Sequence, residues 1–248
     1  MIREYLYSNE SWDFFMKKKI ELAMAVSLIL CAFVLGQKSS ILVQSDDAEK
    51  IVKKEDPVCI VVDAGHGGTD PGKIGINDAL EKDINLSIAL KLRDMLEKKD
   101  IEVVLTRDTD TALHSENATN KKAEDMQNRC ALITEANPVF TVSIHQNSYT
   151  TEDVKGAQVF YYDQSEEGKK LAESIQSSLI ERVDTENTRE AKANESYYLL
   201  KKTPTPTVIV ECGFLSNRTE ADLLLTEEYQ EKLVRAIYMG IMDYLEEL

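Results

Sequence analysis

The chain has 248 residues, with 44 acidic and 29 basic side chains and a formal net charge of -15. That excess of acid excludes nucleic acid as a partner, because the basic footprint is missing. It also excludes adhesion to anionic lipid or wall polymers through charge alone. Its 43% hydrophobic content fits a globular core, and its length accommodates one ordinary domain plus a membrane or targeting segment.

The first 36 residues read as a cytoplasmic flank followed by a signal peptide or membrane anchor. Lys17, Lys18 and Lys19 precede an apolar run from Ile20 to Gly36 that is broken by Glu21. The run falls slightly short of the ~20 residues of a full span. The lysines place the N-terminus in the cytoplasm, so the rest of the chain would be exported. Residues 37–56, "QKSSILVQSDDAEKIVKKED", read as a polar linker.

From residue 57 onward strand and helix patterns alternate. "VCIVVDA" is a continuous, β-branched run of the kind a buried strand carries. A helix follows over about 78–99, where Ile84, Ile88, Leu92 and Leu96 recur every four residues. "IEVVLTR" is the next strand, 107–120 a polar loop and 121–136 a helix ending at "ANP". "VFTVSIH" and "GAQVFYY" are strands, and "EEGKKLAESIQSSLIERV" is a helix. "YYLLKKTPTP" reads as strand or loop, "TVIVE" as a strand, and "EYQEKLVRAIYMGIMDYLEEL" as a long amphipathic helix. This alternation predicts one α/β domain over 57–248, with a mostly parallel central sheet flanked by helices. The final helix has enough apolar residues to dock on its own sheet, and a monomer is expected.

Four cysteines, Cys31, Cys59, Cys130 and Cys212, show neither a CxxC pair nor zinc-finger spacing. Three lie outside the apolar N-terminal run, an odd number for a disulfide framework, and they read as small core residues.

The polar residues converge on one edge. His66 follows the first strand, His145 ends "VFTVSIH", and Glu211 ends "TVIVE". Ligands bind at the carboxyl ends of strands in open α/β sheets. Two imidazoles and a carboxylate there form a plausible zinc site. Each has a plainer reading: a turn residue for His66, a hydrogen-bonded strand end for His145, structural pairing for Glu211. "GHGGTD" lacks the third glycine of a phosphate-binding loop, and Pro71 and Gly72 follow where a helix should open. His114 lies in the polar loop and reads as solvated. Glu81 sits three residues after Asp78, as in a capping box, yet also on the buried face of its helix, where it wants a partner.

Taken in order, "VVDAGHGGTDPG", "LEKDINLSIALKL", "LTRDTD", "NPVFTVSIHQNS", "GAQVFYY" and "YYLLKKTPTPTVIVECGFLSN" resemble the zinc-dependent N-acetylmuramoyl-L-alanine amidases, of the type-3 catalytic domain. The short layout with an N-terminal membrane signal is most similar to the germination-specific spore cortex amidases. The resemblance implies hydrolysis of the bond between the lactyl group of N-acetylmuramic acid and L-alanine in peptidoglycan. It implies one zinc per chain, with His66, Glu81 and His145 as ligands and Glu211 as the catalytic acid/base. Gly65, Gly67 and Gly68 would allow an unusual turn and leave room beside His66.

Asp63, Arg107 and Asn147 are candidates for a supporting or substrate role. Asp63 would orient a ligand histidine or cap the turn. Arg107 would meet a peptide carboxylate or pair with Asp108 or another surface acid. Asn147 lies in "QNS", where the family usually has a small or apolar residue, then Asn and Ala. No long insert of the kind that blocks regulated family members precedes Glu211. The chain is expected at the membrane or secreted to the wall or cortex, with peptidoglycan as partner and a helper lipoprotein allowed for. The alternatives are a zinc peptidase or deacetylase on the same polymer, or a non-catalytic wall-binding protein.

Overall fold

The computed structural model describes residues 16–19 and 24–27, both helical, and 57–248. The chain divides into two compact units, Met1–Glu55 and Asp56–Leu248. Most of the expected membrane segment and the whole of the expected linker lie outside the described residues. Among the described residues no helix is long and apolar enough to cross a membrane.

The second unit runs β1 (Cys59–Ala64), α1 (Glu81–Glu97), β2 (Glu102–Leu105), α2 (Lys121–Ala136), β3 (Phe140–Asn147), β4 (Gln158–Tyr161), α3 (Glu166–Arg182), β5 (Lys192–Ala193), α4 (Tyr198–Lys202), β6 (Thr207–Phe214), α5 (Arg218–Leu224) and α6 (Glu227–Glu246). The sheet order is β2-β1-β3-β6-β4-β5. Every neighbouring pair is parallel except β4 and β6, so the sheet is mixed. The cause lies between β3 and β4. No helix bridges them, and without a crossover the chain re-enters the sheet at the same end where β3 leaves it, so β4 runs antiparallel to β6.

Side-chain alternation sorts the strands into two faces. Ile60, Val62 and Ala64 of β1, Val142 and Ile144 of β3, and Val208, Val210 and Cys212 of β6 join the main core. The apolar stripe of α1, with Ile84, Ile88, Leu92 and Leu96, packs there, as do α3, α5 and α6. Leu233, Ile237, Ile241 and Tyr244 bury the inner face of α6. The opposite face is thinner. Val61 packs with Cys130 and Ile133 of α2 and Leu199 of α4, while Ile209 packs with Phe160 and Leu200. Cys130 and Cys212 are buried and Cys59 is half-buried, all three as free thiols.

Several local expectations are corrected. The helix begins at Glu81, not Asp78, and its N-cap is Leu80, with no side-chain cap. Asp78 has a positive φ of 64 and lies in a turn. Residues 73–81 fold back on themselves, with Gly75 N–H donating to Ala79 O and Glu81 N–H to Lys73 O. The Glu81 carboxylate is therefore free to point away from the helix end. "YYLLKK" contains a short helix instead of the expected strand or loop, and a further helix, α5, is capped by Asn217, which accepts from Glu220 N–H at 3.0 Å.

Candidate active site

Strands β1, β3 and β6 are mutually parallel, so their carboxyl ends share one edge. His145 stands opposite Glu211 in the β3–β6 register. His66 lies just beyond β1, with a φ of 63. Glu81 reaches the same point from the first turn of α1. These residues line a cleft of about 510 Å³.

Glu81 is the hub. Its Oε1 lies 3.0 Å from His145 Nδ1 and 3.3 Å from His66 Nε2. Ligand atoms from the three side chains all fall within 4.8 Å of one another, a grouping able to hold a metal ion. The carboxylate is fixed from behind by Lys73 N–H on Oε2 at 2.7 Å and Gln146 N–H on Oε1 at 3.1 Å. Burial alone would raise its pKa, but the two imidazoles overcome that and hold it well below the carboxylate range. Burial would likewise lower His66, yet Glu81 and Asp70 raise it to about 9.

The ring of His66 is pinned on its other side, where Nδ1 meets Asp70 Oδ2 at 2.9 Å. A metal-ligating histidine commonly gives its second nitrogen to a carboxylate in this way, fixing ring orientation. The expected room beside His66 is found, but it is used differently. Gly65 lies under the His145 ring, where any Cβ would collide with Cε1 and Nε2. At Gly72 a Cβ would meet Glu81 Oε2 and His66 Cδ2, each at 2.7 Å. The absent side chains make the space in which the three candidate ligands converge.

Glu211 is 7% exposed, and its Oε2 is buried without a hydrogen-bond partner. Burial first, and then the Glu81 charge, push its pKa up to about 7 against the opposing pull of the two histidines. A buried carboxylate oxygen left open at a cleft is costly unless something else binds there.

The supporting candidates take other places than the sequence suggested. Asp63 neither touches a histidine nor caps the turn. It accepts from Ser143 and Thr106 hydroxyls and from the Arg129 guanidinium. Burial would raise its pKa, but these partners, led by Arg129, hold it at about 2. Arg107 is buried and pairs with neither Asp108 nor another surface acid. It donates to the carbonyl oxygens of Ala64, Gly65, Lys82 and Thr109 and so clamps the backbone before His66. Asn147 accepts from Ser148 N–H at 2.8 Å and is not among the residues lining the cleft. His114 lines the outer cleft, with Nδ1 at 2.9 Å from Ser115 O.

Sequence reasoning missed Arg129, Asp70 and Asn85. Arg129 donates to Ala64 O and His66 O, and Asn85 to Gly65 O. The signal for Arg129 was present: it falls three residues after Met126 and four before Ile133, inside the apolar stripe of α2. An arginine in a buried stripe needs a buried acid.

The family profile described as N-acetylmuramoyl-L-alanine amidase matches residues 60–243. The chain is 40% identical over 191 residues to the germination-specific N-acetylmuramoyl-L-alanine amidase of Bacillus subtilis, covering 76% of this chain and 80% of that protein. It resembles the solved CwlD amidase from Clostridioides difficile, determined in complex with the GerS lipoprotein, at 43% identity and a TM-score of 0.75. The match covers 77% of this chain and 99% of that one. A second solved structure, the amidase AmiC2 of Nostoc punctiforme, matches at 34% identity and a TM-score of 0.67, over 76% of this chain and 97% of that one. With the profile spanning most of the folded unit, the chain belongs to the N-acetylmuramoyl-L-alanine amidase family, enzymes that hydrolyse the amide bond joining N-acetylmuramic acid to L-alanine in peptidoglycan.

Proposed function

We propose that His66, Glu81 and His145 hold a single zinc ion and that Glu211 is the catalytic acid/base of the amidase reaction. One observation carries this reading: Glu81 Oε1 lies between two imidazole nitrogens while the unpartnered Glu211 Oε2 borders the same cleft. Two histidine nitrogens and a carboxylate oxygen suit zinc in a catalytic site, where one position stays open. The Asp70 bond to His66 and the space left by Gly65 and Gly72 fit the same group. Zinc bound there supplies Lewis-acid polarisation and a water acidified towards neutral pH.

The chain's own residues do the rest. Glu211 Oε2 takes a proton from the water that attacks the lactyl carbonyl. It then gives that proton to the departing amine of L-alanine. Asp70 holds the His66 ring, while Arg107, Arg129 and Asn85 hold the backbone carbonyls around it.

The biological setting is part of the proposal. The name of the germination-specific relative from Bacillus subtilis supports a role in germination, which we assign to the spore cortex. The solved complex with a lipoprotein supports a helper lipoprotein for this chain as well. We assign residues 1–36 to a signal or membrane anchor, 37–56 to a linker and 57–248 to the catalytic domain, exported to the wall.

Digestion of purified peptidoglycan, with added zinc and with a chelator, tests the reading through the products identified by mass spectrometry. Stem peptides beginning in free L-alanine, released only with metal, are expected. Peptides trimmed at other bonds, or deacetylated glycan, would move the chain to another hydrolase class.

A further inference from the structure

Most of the polar groups around the cleft are committed to one another. Asp63 and Asp125 are bound to Arg129, Asp70 to His66, and Glu81 to both histidines. Glu211 Oε2 is one open group. The hydroxyl of Tyr197 is another. Tyr197 lines the same cleft, and its Oη makes no hydrogen bond among the described residues.

This ring is held in place. Its edge packs against Phe160, with centroids 5.5 Å apart and an interplanar angle of 72°. Its N–H donates to Asn194 Oδ1 at 2.8 Å, and Asn194 N–H is itself tied to Tyr161 O of β4 at 2.8 Å. Tyr197 is also the N-cap residue of α4, its carbonyl accepting from Lys201 N–H. A phenol braced at ring and backbone needs little ordering to meet a substrate.

Resting on the amidase reading above, we propose that Tyr197 Oη donates a hydrogen bond to the carbonyl oxygen of the scissile amide as that oxygen gains negative charge. Such a donor stabilises charge that develops only during reaction, and acts in kcat more than in binding. The group is suited to donate. Burial first, then the charges of Glu211 and Glu81, push its pKa up to about 12, so it keeps its proton at neutral pH. Tyr197 packs against the cluster of Phe160, Leu200 and Ile209, and Ile209 lies two residues before Glu211 on the same face of β6, so the ring sits on the Glu211 side of the cleft.

The test is Tyr197→Phe in the full chain, which removes one oxygen and keeps the ring. Zinc content and melting temperature should match the parent protein. The kcat for release of L-alanine stem peptides should fall about 100-fold with KM little changed. Affinity for a phosphinate analogue of the tetrahedral carbon should fall by a similar factor, while affinity for the glycan product stays the same. Unchanged kcat in Tyr197→Phe, with loss only in Tyr197→Leu, would make Tyr197 a packing residue and overturn the proposal. A raised KM at intact kcat would overturn it as well. A parent protein that releases no such peptides would instead remove the amidase reading, and this proposal with it.

Discussion

Arg129 of α2 is 2% exposed and ion-paired with Asp63 of β1, which is 1% exposed. The same guanidinium reaches Ala64 O and His66 O and pairs through Nε with Asp125 at 2.6 Å, so it ties the core of the sheet to the turn that presents His66. Removing one partner of a buried pair costs about 3–5 kcal/mol when the other charge is left uncompensated, and because Asp125 stays with Arg129 the lower end, about 3 kcal/mol, applies here. Asp63→Asn should therefore lower the melting temperature at neutral pH by about 6–12 °C, at ~2–4 °C per kcal/mol for a chain of this size. The Asp63 pKa drops from 3.8 to about 2 on folding. Its stabilising contribution is thus full above 3.8 and is lost as pH falls towards 2. Calorimetry should find the gap between parent and variant closing over that range. A gap independent of pH would show that the charge is not what stabilises the pair.

Asp70 Oδ2 meets His66 Nδ1 at 2.9 Å and lies outside the group of His66, Glu81 and His145, so in the proposed zinc site it would orient His66. Asp70→Asn should keep the fold and weaken zinc binding about 10- to 100-fold, as expected for loss of a carboxylate behind a ligand histidine. Competition with a zinc chelator measures this directly. Unchanged affinity would leave the Asp70–His66 bond without a role at the metal.

How far the sequence carries is visible in α1. The four-residue spacing of Ile84, Ile88, Leu92 and Leu96 marks its buried face, because helical periodicity is a local property. The strands that carry His145 and Glu211, and the one that leads into His66, were legible for the same reason, but β3 runs on to Asn147 and β6 to Phe214, past the ends read at His145 and Glu211. The role of Glu81 was not, since Asp78 and Glu81 have capping-box spacing. Only the fold-back of residues 73–81, which uses the Glu81 N–H on Lys73 O, decides between cap and candidate ligand. The antiparallel β4 and the Asp63–Arg129 pair depend on chain segments far apart in sequence. Local pattern does not encode such meetings. The buried Arg129 was a visible anomaly, but its partner was not.

Gly65 is a steric requirement. Gly65→Ala would force the His145 ring away from Glu81. Overpacking of this kind costs about 1–3 kcal/mol. The larger effect should be on zinc stoichiometry, which is expected to fall from near one per chain to near zero after dialysis. Metal analysis beside a thermal melt separates the two effects. Full zinc retention in a folded Gly65→Ala variant would contradict the convergence of His145 and Glu81 on one ion.

The central claim is that Glu211 carries the proton beside a centre built from His66, Glu81 and His145. Glu211→Gln removes the titrating oxygen while keeping size and shape. Its turnover of peptidoglycan, compared with the parent protein at matched zinc content, is the most direct measurement. The account predicts a fall of about 10² to 10⁴ in rate with zinc still bound. Full turnover by zinc-loaded Glu211→Gln would contradict it.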